Sequence, residues 1–473
     1  MTKLLAAPAF AAVLAGCASY QGISPRSEIG RTDALAAQRS LADAKLTPAS
    51  WPQADWWKGF ADAQLDALID EALAGTPTGR SARARLDRAV ALAQAAGAAR
   101  GPQVNASADV TRQRFSANGI FPPPIGGGPF TQTELALNFS YDLDLFGRNR
   151  AAYDAALGQV KAAEVDLFAA RLLVSSAVAQ VYLQLGRAFD QLELTQMTLK
   201  QRTAIQDLTR RRFAAGLDSR VELKQVEISI PAARQRIAQL EEQIALLRNQ
   251  LAALLGKGPD RGLAIERPRA QAWSVALPSA LPADLLGRRP DVVAQRWRVE
   301  AARRDIDAAK AQFYPDVNLA ALVGVQSITL SKLVSAGSAT PSIGAAVQLP
   351  IFDSGRLRGN LAARDADYDL AVEQYNATLI DAVREVVDQI ASVRSIEAQR
   401  GEVDAALASA QEAYDLVVAR YRGGLGTYLQ VLTVETQLLE QKSLQIDLHA
   451  RELEQSINLA RALGGGFEQR AAR

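Results

Sequence analysis

The chain repeats itself. Two tracts, starting at Arg148 and at Arg356, run in step at a fixed offset of 208 residues for more than a hundred residues without an insertion. Phe213-Ala-Ala-Gly216-Leu217-Asp-Ser219 answers Tyr421-Arg-Gly-Gly424-Leu425-Gly-Thr427, Val226-Glu227 answers Val434-Glu435, and Leu255-Gly256 answers Leu463-Gly464. A repeat of this length is one supersecondary unit used twice. Its largest part runs from Arg148 to about Ala214, and again from Arg356 to about Arg422, with no proline and a helical pattern over some 67 residues. At 1.5 Å per residue each tract predicts about 100 Å of continuous helix, more than an ordinary globular core uses.

Each copy reads helix, strand, strand, long helix, shorter helix. The first helix of copy one spans Asp62 to about Arg100, interrupted near Gly75 to Gly79 by Thr-Pro-Thr. Upstream of the long helices Pro102-Gln-Val104-Asn105 matches Pro315-Asp-Val317-Asn318 at an offset of 213, so insertions fall where loops belong. Leu135, Leu137, Phe139, Tyr141 and Leu143 alternate with polar or small residues, as do Val317, Leu319, Ala321 and Val323, and Ile343, Ala345, Val347 and Leu349. That period of two predicts strands with one apolar face. Breaker-rich loops, Ile120 to Gly128 and Ser335 to Pro341, close the two hairpins. After the Gly216 turn, Leu223, Val226, Ile230, Ala233, Ile237, Leu240, Ile244, Leu247, Leu251 and Leu254 step by three and four, a seam for coiled-coil packing. In copy two Gln441, Gln445, Glu452 and Gln455 stand on that seam, so its packing differs or faces water.

Composition excludes other classes. Of 473 residues 48% are apolar, too many for disorder. A single cysteine, Cys17, and a single histidine, His449, leave no internal disulfide, no His/Cys metal cluster and no His-based catalytic constellation. The expectation is therefore no enzyme, no cofactor and no metal, with His449 an ordinary surface residue. Lys plus Arg number 53 against 51 for Asp plus Glu, spread along the chain, which speaks against nucleic acid as a partner. No run of eighteen apolar residues predicts a membrane helix, a test that barrel strands escape.

Met1 to Gly16 has the pattern of an export signal: Lys3, an apolar run from Leu4 to Leu14, and small residues before Cys17. Leu14-Ala15-Gly16-Cys17 resembles a lipoprotein cleavage box, which implies Cys17 as an acylated N-terminus, and Ala18 after it implies sorting to the outer membrane. Strands with a lipid-facing side must close into a barrel, and four are too few. Two chains would supply eight strands and a filled interior, three would supply twelve and a pore, with Asn138, Ser140, Asp142, Asn318 and Gln348 toward water.

Trp56-Trp57-Lys-Gly-Phe60-Ala-Asp62-Ala-Gln-Leu65, Leu281-Pro282-Ala-Asp-Leu285-Leu286-Gly-Arg288-Arg289-Pro290-Asp291-Val292 and Ala311-Gln-Phe313-Tyr314-Pro315 resemble outer-membrane efflux lipoproteins of the TolC-like, NodT type, from about residue 50 to residue 465. The resemblance implies a mainly α fold with membrane β-strands and two internal repeats. Three chains would form a 12-stranded outer-membrane β-barrel continued by a long periplasmic α-helical barrel, the shorter helices stacking end to end beside the long ones. It implies a passive exit duct for drugs, aromatic acids or other small toxic compounds. A periplasmic adaptor (membrane fusion) protein would join it to an inner-membrane pump, either ATP-driven or a transporter of the resistance-nodulation-division or major-facilitator type.

The resemblance divides the chain into a signal peptide (1–16), an acylated N-terminal extension (17–60), repeat 1 (61–260), a linker (261–281), repeat 2 (282–465) and a tail (466–473). Adaptor-docking tips fall at Gly216, Leu217, Ser219, Gly424, Leu425 and Thr427. Relatives close the periplasmic mouth with inward aspartates and a Tyr/Arg/Asp network. The matching positions here are Glu222, Tyr421, Gln430 and Thr433, with Gly426 in place of an arginine, which implies a gate of hydrogen bonds less sensitive to divalent cations. The competing reading is an acylated periplasmic coiled-coil scaffold whose strands pair without forming a pore.

Overall fold

A computed structural model describes residues 19–31, 35, 38–41, 46–47, 51–271, 273, 277–278 and 287–468. The export segment, the acylation candidate Cys17 and hinge residues 281–286 lie outside the described residues. Two compact units divide the chain. Arg85–Ala163, Ala294–Asn376 and the described residues up to Ile29 form one, and Gly30–Ala84, Glu164–Val293 and Ala377–Arg473 form the other. The main helices are α1 (Ala63–Gly75), α2 (Pro77–Ala98), α3 (Arg148–Ala214), α4 (Arg220–Leu254), α5 (Pro290–Ala311), α6 (Arg356–Arg422) and α7 (Tyr428–Ala462). The strands are β1 (Gln103–Arg114), β2 (Pro129–Asp142), β3 (Asp316–Ser327) and β4 (Ser342–Gln348). The long helices α3 and α6 are 67 residues each and the shorter α4 and α7 are 35 each, so the duplication is carried to the residue.

In the first unit the four strands form one antiparallel sheet in the order β1-β2-β3-β4. The register brings Val104 opposite Phe139, Leu137 opposite Val323, and Ala321 opposite Ile343. One face is therefore apolar, and that face is the exposed one: Val110, Leu137, Val323, Ile343 and Val347 are all more than half exposed. The opposite face pairs Asn138 with Ser107 through a 3.1 Å hydrogen bond. An ordinary soluble sheet buries its apolar face, and this one is inverted. Leu143 and Leu349 lie one residue past the strand ends. Asp142, expected toward water, is held by Arg148 at 2.6 Å and by Asn149 at 2.9 Å, which ties the strand end to the first turn of α3. Phe146 and Phe352 stand exposed between strand ends and long helices, where an aromatic girdle of a barrel would sit. Among the described residues β1 and β4 keep one open edge each.

The N-terminal residues of this unit lie along α6. The backbone N–H groups of Arg26 and Ser27 both donate to Asp369 Oδ1 at 2.9 Å, Asn376 donates to the Glu28 carbonyl at 3.1 Å, and Arg358 donates to the Ser19 carbonyl. Tyr20 packs edge-on to Phe313, with ring centroids 5.4 Å apart.

The second unit holds a core of Trp56, Trp57, Phe60, Leu65, Leu68 and Ile69 packed on Tyr182 and Leu185 of α3, Leu251 of α4 and Ile457 of α7. The break between α1 and α2 is narrower than the sequence suggests: only Thr76 leaves the helix, because Pro77 takes the first helical position, where its missing N–H costs nothing. The apolar seam of α4 is buried at Val226, Ile230, Ala233, Leu240, Ile244, Leu247 and Leu251. On α7, Gln445 faces water, whereas Gln455 is buried and donates to the Gln389 carbonyl at 3.2 Å. Both short helices end against backbone that leads into another helix, α4 at the α1–α2 junction and α7 just before α5. A Cβ on Gly256 would lie 3.2 Å from the Gly75 carbonyl oxygen, and one on Gly464 would overlap that of Arg288.

Asp62 is the most heavily used carboxylate of this core. It caps α1 by accepting from the N–H of Gln64 (3.0 Å) and Leu65 (3.3 Å), and it also accepts from Tyr182 Oη (2.8 Å) and the Arg269 N–H (2.8 Å). Asp62→Ala removes a helix cap, takes the acceptor from the Tyr182 hydroxyl, which keeps only its bond from Gln64, and leaves the Arg269 amide unpaired, a loss of about 2–4 kcal/mol. A clear fall in the thermal unfolding temperature is expected, and an unchanged one would contradict this account.

Candidate functional site

α3 and α6 end in the same motif. Gly216 at φ +73° and Gly424 at φ +78° take the left-handed conformation that lets the chain reverse. Leu217 N–H then donates to the Arg212 carbonyl and Leu425 N–H to the Arg420 carbonyl, each at 2.9 Å, closing a Schellman turn. In such turns the residue after the glycine commonly packs back on the helix. Leu217 and Leu425 do not: they are 64% and 75% exposed. Ser219 and Thr427 start the return helices as N-caps of capping boxes, reciprocated by Glu222 and Gln430.

The expected gate residues therefore separate. Glu222 and Gln430 are engaged locally: each accepts from the N–H of its own N-cap residue, at 2.9 Å for Ser219 and 3.3 Å for Thr427. Hydrogen bonds from Ser219 hold the Glu222 carboxyl below its ordinary range. Thr433 is exposed on α7 and its hydroxyl donates to the Leu429 carbonyl at 2.9 Å. Tyr421 is completely buried within its own chain. Its hydroxyl lies 2.7 Å from both Thr209 Oγ1 and Asp218 Oδ2, and Arg212 holds Asp218 through two parallel bonds of 2.9 and 3.0 Å. Arg212 also donates to the Tyr421 carbonyl at 2.8 Å and lies over its ring. Burial opposes ionisation of Asp218, but the bonds from Arg212 and Tyr421 outweigh it and keep the carboxyl below the usual range. Burial foremost, with the neighbouring Asp218, pushes the Tyr421 phenol up to about 12.

This latch of Thr209, Arg212, Asp218 and Tyr421 clamps the tip of the first repeat to α6. Sequence reasoning found only the tyrosine. The arginine it sought at Gly426 comes instead from α3, and the available signal was the contrast between Asp218 and its repeat counterpart Gly426. Deeper between α3 and α7, Arg202 pairs with the buried Glu435 at 3.1 Å. His449 is exposed on α7, as its charged surroundings predict.

An inverted sheet beside paired 67-residue helices with open-ended tips is a narrow description, and the sequence matches the family described as outer membrane efflux protein over residues 68–257 and 281–465. The chain belongs to the outer membrane efflux protein family. Among relatives, the fusaric acid resistance protein FusA of Burkholderia cepacia is 40% identical over 373 residues, 77% of this chain and 69% of that protein. The multidrug resistance outer membrane protein MdtP of Escherichia coli O157:H7 is 33% identical over 440 residues, 90% of this chain and 89% of that protein. The outer membrane protein VceC of Vibrio cholerae superposes with a TM-score of 0.84 at 38% identity, covering 88% of this chain and all of that one. The Campylobacter jejuni CmeC outer membrane channel shares the fold, with a TM-score of 0.85 at 23% identity. As a member of this efflux family, the chain joins strands of a β-barrel to an α-helical barrel and is the outer-membrane channel of a tripartite efflux system. It resides in the outer membrane, extends into the periplasm, and works as a trimer with other efflux proteins.

Proposed function

We propose that three copies pair β4 of one chain with β1 of the next to close a twelve-stranded pore. Its periplasmic tips would dock through Leu217 and Leu425 to a periplasmic adaptor (membrane fusion) protein. The observation that carries this reading is the pair of open sheet edges beside an exposed apolar face, which in lipid are satisfied only by closure with further copies. The adaptor in turn connects the duct to an inner-membrane transporter of the resistance-nodulation-division or major-facilitator type. Cargo is a class of small toxic organic compounds, in line with the fusaric acid and multidrug resistance for which the relatives are named. Gly216, Ser219, Gly424 and Thr427 shape the docking turns. The mouth is closed by the latch, which includes Tyr421, together with Glu222, Gln430 and Thr433 on the return helices. Deletion of the gene is expected to raise intracellular accumulation of such a compound, with restoration by the intact chain; unchanged accumulation would overturn the assignment of cargo.

Cys17 is proposed as the acylated anchor in outer-membrane lipid. Ser19, the first described residue, rests against Arg358 in the first turn of α6, close to the end of β4. Native mass spectrometry in mild detergent is expected to show three chains each carrying acyl mass, and Cys17→Ser to lose that mass while remaining trimeric. An unmodified wild-type chain would refute the anchor.

A further inference from the structure

The internal duplication shows how one chain meets the next. Within the chain α7 lies antiparallel along α3, joined by Gln180–Asn458 (3.0 Å), Arg187–Asp447 (2.7 Å), Gln191–Ser443 (2.9 Å) and Arg202–Glu435 (3.1 Å). Each long helix also carries the short helix of its own repeat. Residues buried on α3 but uncovered at the same place on α6 therefore mark what α7 adds. On α3, Leu194, Thr198 and Ile205 are buried; their counterparts 208 residues on, Glu402, Ala406 and Ala413, are exposed. The converse holds for the short helices. Ala450, Leu453 and Ile457 of α7 are buried, while their counterparts on α4, Glu242, Ala245 and Asn249, are exposed. The open flank of α6 and the open flank of α4 thus repeat two surfaces that already fit one another in the chain.

We infer that the open flank of α6 seats α4 of a second copy in the register that α7 keeps on α3, and that this junction between copies is the one without a latch. The inference rests on the trimeric reading above. Transferred by the repeat, the four in-chain pairs become Asp388 with Gln250, Ser395 with Gln239, Gln399 with Gln235 and Ala410 with Glu227, the second residue of each belonging to the second copy. Neither ion pair is reproduced: Asp388 and Glu227 are left facing Gln250 and Ala410, and the other two pairs are neutral. At the tip the loss is larger. Thr209, Arg212 and Asp218, which grip Tyr421, become Val417, Arg420 and Gly426 facing Phe213 of the second copy. Only the arginine survives, and Arg420 donates to the Leu425 carbonyl at 3.5 Å. The mouth then widens where copies meet, while each copy keeps its own four-helix tip whole.

Two measurements test this. Gln235→Cys with Gln399→Cys, treated with a short bismaleimide, is expected to give covalent dimers and trimers on denaturing gels, whereas Gln191→Cys with Ser443→Cys links within one chain and keeps monomer size. No intermolecular product from particles that native mass spectrometry shows to be trimers overturns the register. Monomeric particles would instead sink the trimeric reading on which it rests. The second measurement restores the missing latch with Phe213→Tyr and Gly426→Asp. The nearest atom to a Cβ on Gly426 is the far end of Gln430, at 3.1 Å, and Asp218 coexists with the Glu222 capping box at the equivalent place. Trimers of this variant are expected to show at least a twofold lower resting conductance in planar bilayers, and conductance equal to or above the parent's overturns the unlatched junction.

Discussion

Asp218→Asn is expected to raise the resting conductance of the channel several-fold while leaving the trimer assembled. The side chains of Arg212 and Asp218 are only 9% and 5% exposed, so the pair is not a surface bridge of negligible weight. Removing the carboxylate leaves a buried guanidinium without its counter-charge, a change of about 3–5 kcal/mol concentrated at the tip. Tyr421→Phe loses the contacts to Thr209 and Asp218 but leaves the ion pair, about 0.5–1.5 kcal/mol for each hydrogen bond, so its effect is smaller and not additive with the first. pH supplies an independent reading. Asp218 titrates lower in the folded tip than the ordinary value of 3.8, so its contribution is complete above that value and is lost as pH falls through the folded one. Conductance of the parent should climb below about pH 3.8 and that of Asp218→Asn should not. Glu222 is also held low, by its own capping box, so Glu222→Gln should keep the climb. Equal conductance of Asp218→Asn and parent at neutral pH would remove the latch from the gate.

The long helices were legible to the residue because their limits are set by local chemistry written twice: no proline inside, a glycine at each turn, a capping box after it. Three strands were legible by alternation. β1 was not singled out, since Ala106 and Ala108 sit in the middle of its outward face and alanine gives little contrast between apolar and polar positions. The tips were readable as turns, and their exposed leucines as an oddity. What the sequence could not supply is pairing between distant residues. Arg212 and Tyr421 meet only because the ends of α3 and α6 come together at the tip, and no periodicity reports that one long helix chooses a particular neighbour. For the same reason Trp56 and Trp57 served as a family signature before their role as filling between α1, α3 and α7 was visible. The gate positions carried over by resemblance were partly claimed by local structure, as Glu222 and Gln430 show by capping their own helices.

The largest effect on function is expected from Leu217→Glu combined with Leu425→Glu. Neither leucine packs on its own helix, and the turns are made by backbone bonds and by the glycines before them, so the substitutions leave folding, trimer mass and bilayer conductance as they were. Burial of one leucine by a partner contributes about 1.5–3 kcal/mol, and a carboxylate placed against the same apolar seat costs more than the leucine gained. Two such tips per chain, repeated around a symmetric mouth, bind as one multivalent surface, so the loss compounds. The double variant should leave cells as sensitive to the exported compound as those lacking the gene, and each single variant should fall between. Crosslinking to the adaptor in whole cells should fall in the same order. Full resistance in the double variant would mean that the partner is held elsewhere on the helices. A fall in trimer mass or a change in conductance would mean that the leucines serve the fold, and the docking role would be withdrawn.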